Sequence, residues 1–350
     1  MADPVRLRAE RLATASSCCG FLGEVTLTDS AVIILFAGML GAGDALSMIT
    51  TSVLPLLNGL CIIPMAGLAM KIGMRRQILR ACFCASAAYF TAVASPFFGE
   101  AGVMVLIASV FLFAFSLTGF IAGWFPLLDT FLEPERRTLF FSRMRFCHQL
   151  SGTVFLFLVG FVIGGNPPVW GLQLVLLAAA VIFTGRAAAI SRIPVFEGRQ
   201  NESAGFFSGL NTVVGNKPMA GFSLYFFLLN LTAFGTVPLM MLYLKNGLNA
   251  PDNVIVLISA CSLSGMLFGY LCIGRLLKRI GMKHTFLLLH FIFFAVNGGL
   301  FLIGGRSMAT YLLIAFFLLV YSFAAAASSI VASAEMMKLA SPGNKIMAMA

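Results

Sequence analysis

Glu24 and Asp29 stand inside "LATASSCCGFLGEVTLTDSAVIILFAG", residues 12–38, a stretch otherwise apolar enough to enter lipid. An acidic side chain near mid-bilayer costs about 2.5–3.5 kcal/mol on insertion scales, so it normally faces a cavity or a partner. A carboxylate in that position can take up a proton, hold a cation or bind a solute. The two acids are five residues apart, about 140° round a regular helix, so one face cannot present both. Glu24 and Thr28, one turn apart, make the better pair. The competing reading makes residues 13–29 an interfacial segment with both acids in water. Further along, His290 and Asn297 share one helical face. Imidazole titrates near neutrality, which makes His290 a candidate proton relay. Both side chains would serve equally well as hydrogen-bonding links between helices.

The elements that must position these groups follow from composition. Hydrophobic residues make up 60% of the 350 and charged residues 10%, with a mean hydropathy of +0.98. Soluble domains carry about a quarter charged residues. Lipid must therefore be the solvent for much of this chain. Ten apolar segments, each long enough for a crossing at about 20 residues, run 13–37, 46–69, 78–98, 102–127, 147–165, 169–186, 219–244, 254–275, 285–304 and 309–332. Of the 23 Lys and Arg, all but Lys245 and Arg306 fall in alternate connections, with Arg186 assigned to the central loop. Positive charge collects in cytoplasmic loops. The expectation is a multi-pass protein of the cell (cytoplasmic) membrane with its N-terminus inside and no removable signal peptide.

The net charge of +10 then orients the chain rather than binding nucleic acid. No Lys or Arg falls in a segment core, so no dedicated anion-neutralising site is expected. No phosphate-cradling loop is present. The reading is of a protein that is not an enzyme, with no cofactor and no metal. The eight cysteines lie mostly in apolar segments, where they read as small hydrophobes.

An internal repeat organises the segments. At an offset of 208, "AGLAMKIGMRRQIL" (66–79) matches "GRLLKRIGMKHTFL" (274–287). Leu68, Ile72, Gly73, Met74 and Leu79 recur as Leu276, Ile280, Gly281, Met282 and Leu287, and Lys71 and Arg75 recur as Arg279 and Lys283. The same offset pairs Leu40, Ala42 and Asp44 with Leu248, Ala250 and Asp252, and Pro134 and Arg137 with Pro342 and Lys345. It also sets Leu22 and Glu24 opposite Asn230 and Thr232, so Asn230 shares a depth with Glu24. There Gly235 and Pro238 could open the seventh segment locally. Six spans per repeat leave both copies in the same orientation, with a midplane site expected between them. The fold class is all-α and polytopic: two parallel pseudo-repeats of a six-helix bundle, the second incomplete. The domain reading is a first bundle over 1–186, a cytoplasmic linker over 187–218 and four helices of a second bundle over 219–350. Gly73 and Gly281 allow tight turns. The cations beside them can pair with acids or with negative helix C-termini, latching one conformation.

At these residues the chain resembles the major facilitator superfamily, whose cytoplasmic signature is G-x-L-x-D-R-x-G-R-R. Leu68, Lys71, Gly73 and Arg75 fit it, with Arg76 one place on; in the second copy Gly274, Leu276, Arg279, Gly281 and Lys283 fit. Ala66 replaces the leading glycine, and Met70 and Lys278 stand where the family has an acid. The resemblance implies a secondary transporter or facilitator, with alternating access between two bundles. Its partners would be a small solute, a coupling proton or cation, and the bilayer. Family members usually have twelve helices, so the frame beyond Ala350 is expected to encode two more apolar segments. The fourth segment lacks the buried arginine of the family's drug exporters, and the fifth has "GFVIGGNPP", so drug/proton antiport is not expected. The alternative is a non-transporting membrane receptor, a scaffold or an inactive transporter fragment.

Overall fold

The computed structural model describes residues 4–28, 30–133, 137–194, 196, 215–233 and 235–339. Every regular element among them is helical. The order is α1 (Pro4–Thr28), α2 (Ala31–Met39), α3 (Asp44–Ile72), α4 (Met74–Ala94), α5 (Gly102–Asp129), α6 (Arg137–Val162), α7 (Val169–Ser191), α8 (Lys217–Ala233), α9 (Thr236–Leu242), α10 (Asp252–Phe301) and α11 (Met308–Leu339). In lipid a helix satisfies its own backbone polar groups, which is why apolar sequence of this length takes this form. Eight helical runs among the described residues are long and apolar enough to cross a membrane, and nine if α1 and α2, bent by 43°, are one span. One of the eight, Met74–Trp124, turns back at Gly99 (φ 56°) and comprises α4 and most of α5. Each of the ten apolar segments of the sequence thus has a helix. The chain is a multi-pass integral membrane protein.

Several segments end differently from the sequence reading, the fifth beginning at Arg137 and the tenth running to Leu339. The first helix begins at Pro4, within the basic N-terminus. The sixth continues past 186 to Ser191, because Ala187, Ala188 and Ala189 are strong helix formers with no break signal.

The chain divides into two compact units, Met1–Arg199 with Met241–Ala260, and Gln200–Met240 with Cys261–Ala350. In the first, α4 packs on α5 through Gly123, where an added Cβ would lie 2.8 Å from the Ile78 side chain. Gln77 Nε2 ties α3, α4 and α5 together by donating to the carbonyls of Met65 and Gly119, both at 3.0 Å. Helix α1 lies close against α7 because Gly20 and Gly23 face Arg186 and Phe183, while Gly185 faces Cys19. Residues 241–260 belong to the same unit. Asn246 Nδ2 donates to Asp44 at 2.6 Å, Lys245 pairs with Asp252, and the Asp252 amide donates to the Gly165 carbonyl at 2.8 Å.

In the second unit small residues again set the approach distance. A Cβ on Gly265 would lie 2.0 Å from the Leu319 carbonyl oxygen, and one on Gly269 3.0 Å from Ala326. Ser262 and Ser322 hydroxyls bond at 2.6 Å in that contact. The Tyr321 hydroxyl donates to the Ala233 carbonyl of α8.

Gly73 (φ 90°, ψ 129°) and Gly281 (φ 76°, ψ 170°) break their helices in the same way at repeat-related positions. A side chain in that region of φ/ψ is strained by about 1–3 kcal/mol. Gly73→Ala and Gly281→Ala are each expected to lower the thermal unfolding midpoint in detergent. Gly221→Ala, in α8 with open space around it, should leave it unchanged or raise it.

Candidate functional site

Helix α1 packs into its bundle through residues 13–28: Ala13, Ser16, Ser17, Gly20, Gly23 and Val25 to Thr28 are buried. Its neighbours there are α6 and α7. Ser17, Phe21, Glu24 and Thr28 recur at helical spacing and share a face. Thr28 Oγ1 donates to the Glu24 main-chain carbonyl at 2.8 Å. Its link to Glu24 is therefore through backbone, and the carboxylate looks elsewhere. Asp29 lies outside the described residues.

The carboxylate's partner is Arg186 of α7, with Nη2 at 2.5 Å from Glu24 Oε1. This corrects the sequence reading, which left Arg186 in the central loop and expected no cation within a span. The Arg186 side chain is 4% exposed and that of Glu24 28%. Leu172, Leu176, Ala179, Ala180, Phe183, Arg186, Ala189 and Ile190 are the buried residues of α7. Arg186 falls in phase with them, and this phase was the signal available in the sequence; ending the segment at its first charge concealed it. The guanidinium lies 4.1 Å above the Phe120 ring centroid and 5.3 Å from that of Phe183. It rests on Gly20, where a Cβ would come within 1.8 Å of Nε. Nε and Nη1 are buried with no hydrogen-bond partner.

A second polar contact continues the α1 face. Ser17 Oγ lies 3.1 Å from His148 Nδ1 of α6, and the Phe21 ring stacks on the imidazole with centroids 4.7 Å apart. Gly152, one turn on, gives Phe21 its space. Sequence reasoning missed His148, which stands at the edge of its apolar segment beside Arg143 and Arg145 and reads there as part of a charged flank.

In the second unit the predicted pair on α10 meets both parts of the seventh span. His290 Nδ1 lies 2.6 Å from the Phe286 carbonyl, so that nitrogen carries the proton. Nε2 then accepts from the Tyr225 hydroxyl at 2.9 Å. Thr236 Oγ1 donates to Asn297 Oδ1 at 3.1 Å. Both ring nitrogens of His290 are engaged, so a relay through it would first have to break the bond to Tyr225. Asn230 is exposed, and its Nδ2 donates to the Phe226 carbonyl of its own helix at 2.8 Å. The seventh span divides between Ala233 and Thr236, next to Gly235.

At the glycine turns, Arg75 Nη2 donates at 2.7 Å to the carbonyl of Ser191, the last residue of α7. A cation on a helix C-terminus is favoured by the helix dipole. Leu68, Lys71, Arg76, Gly274, Arg279 and Lys283 are exposed.

Removing one partner of a buried ion pair strands the other, at about 3–5 kcal/mol. Because Arg186 is the more deeply buried, Glu24→Gln should lower the unfolding midpoint more than Arg186→Met does. The double variant should recover most of the loss, as read by thermal unfolding of the purified protein.

Comparisons with known proteins agree with this architecture. A comparison with curated protein sequences gives no match. Among solved structures, a mutant form of the nucleoside transporter NupG superimposes with a TM-score of 0.73 at 17% identity, covering 99% of this chain and 86% of that one. A bacterial homologue of the human lysosomal transporter Spinster, in an inward-facing and unoccupied conformation, gives 0.72 at 15%, covering 100% and 78%. A bacterial homologue of the iron transporter ferroportin gives 0.59 at 13%, covering 98% and 87%. At these identities the likeness is one of fold. The sequence itself matches the Major Facilitator Superfamily model over residues 15–350. The chain therefore belongs to the major facilitator superfamily, a family of transporters and not of enzymes.

Proposed function

We propose that this protein is a secondary carrier that moves a small solute across the cell membrane by alternating access between two helical bundles. In this reading residues 1–186 and 219–350 form the bundles, 187–218 link them, and the N-terminus is cytoplasmic. The observation that carries it is Glu24, a partly exposed acid in α1, which together with α2 is long and apolar enough for one span, held by a cation sealed between helices. Placing both charges there is costly in lipid, and intramembrane ionisable groups commonly mark ion and substrate pathways. Glu24 lies on the pathway and contributes to coupling by a proton or cation, and Thr28 and Asp29 are the further candidates of this stretch. Asn230, His290 and Asn297 are the corresponding residues of the second bundle. The turns at Leu68, Lys71, Gly73, Arg75 and Arg76, and at Gly274, Arg279, Gly281 and Lys283, act as the conformational latch. The bond from Arg75 to the end of α7 is the kind of contact that a latch makes and breaks.

Uptake into proteoliposomes, with and without a proton gradient, tests the reading. Nucleosides, carried by NupG, and iron, carried by ferroportin, are the first probes alongside amino acids, sugars and carboxylates. The expected result is solute entry accelerated severalfold by an inward proton gradient, with that acceleration lost in Glu24→Gln. Arg75→Gln should slow entry while leaving solute binding unchanged. Binding without entry would favour a receptor or scaffold.

A further inference from the structure

We propose that Arg186 is an anion-binding residue and that Glu24 holds its place in the empty site, so that a small organic monocarboxylate and one proton are bound together. This deepens the carrier reading and rests on it. A guanidinium presents its N–H groups in a planar fork that matches a carboxylate with two parallel bonds. Here Glu24 reaches Nη2, while Nε and Nη1 are buried and unpartnered. Buried donors are seldom left so, because each costs its full desolvation. The plane of the fork is held by Phe120 and Phe183, and Gly20 removes the one side chain that would displace it.

Charge balance then sets the stoichiometry. The Arg186–Glu24 pair is neutral. Adding a carboxylate would leave a net negative charge where burial penalises each ion by several kcal/mol. Protonating Glu24 alone would strand the guanidinium at a similar cost. The two events together keep the site neutral: the proton goes from water to the Glu24 carboxylate, and the incoming carboxylate takes over Arg186. Each ligand therefore strengthens the other by the same factor. Access is from the Glu24 side, since that side chain is 28% exposed against 4% for Arg186.

Among the described residues, the other titratable groups around Arg186 are Cys19 from α1, Cys82 from α4 and His148 from α6. None is a carboxylate. Of them His148 is the competing proton acceptor, so it enters the test.

The test uses purified full-length protein in weakly buffered detergent with a pH indicator, titrated with acetate, lactate and benzoate. Trp124, stacked on Phe120 with centroids 5.1 Å apart, reports occupancy by fluorescence in a Trp170→Phe background. The wild type and His148→Asn should take up one proton per anion bound. Glu24→Gln should bind the anion without proton uptake and with no pH dependence. Glu24→Gln combined with Arg186→Met, which removes both charges and so protects the fold, should bind at least about 100-fold more weakly. The proposal is overturned by failure of all three anions to bind the wild type, by equal binding in the double variant, or by proton uptake that vanishes in His148→Asn instead. Vesicle flux separates the two readings. Neutral nucleosides crossing equally in wild type and double variant, with no anion bound, would leave carriage by alternating access standing and remove both the anion site and the coupling role of Glu24. Anion binding without flux would do the reverse.

Discussion

A guanidinium closed off between helices has to be neutralised by something, and that requirement shapes the first half of this protein. Neither lipid nor packed side chains can replace the water that Arg186 has left. Glu24 supplies the compensating charge, and it reaches Arg186 only because α1 and α7 run close together. Gly20, Gly23 and Gly185 lie in that contact, where larger side chains would collide. Around the pair, Phe183, Tyr89 and Phe113 form a connected aromatic cluster, and the Tyr89 hydroxyl bonds Thr26 one turn above Gly23. The same packing that lets the charges meet thus fixes α4 and α5 against them.

The repeat explains why similar joints recur within each unit. Tyr89 of α4 bonds Thr26 of α1, and Asn297, its counterpart at the offset of 208, accepts from Thr236 of α9. Gly73 and Gly281 turn with the same positive φ, as do Gly41 and Asn249 at 91° and 51°. Asp44 and Asp252 each begin a helix, where a negative charge suits the helix dipole. Their partners differ in a telling way. Asp252 pairs with Lys245, whereas Ala37 occupies the position equivalent to Lys245 and Asp44 instead accepts from Asn246. The segment 245–246 therefore bonds both repeat-related aspartates within one unit. At repeat-related positions the joints of the scaffold are alike while the charges differ.

The two halves also differ in what their first helices carry. Glu24 has an ion partner on another helix, while Asn230, two residues short of its counterpart in the repeat, bonds its own backbone. Three polar links between described residues of the second unit join uncharged types or a histidine: Tyr225 to His290, Thr236 to Asn297 and Ser262 to Ser322. The ion pair of Glu24 with Arg186 thus lies within the first unit.

Sequence alone located the apolar segments and their order, because a run of apolar residues in lipid has few alternatives to a helix. It determined the repeat through residues such as Gly73 and Gly281, whose backbone conformation is a local property. It also picked out Glu24 as an acid in need of a partner. Which partner was a tertiary matter. Arg186 lies 162 positions away in the chain, and only the close approach of α1 to α7 turns a charge near a helix end into a buried counter-ion. His148 became visible for the same reason, through Ser17 and Phe21 on a helix distant in sequence. Local spacing reports the cost of a buried charge; the packing of helices decides what meets it.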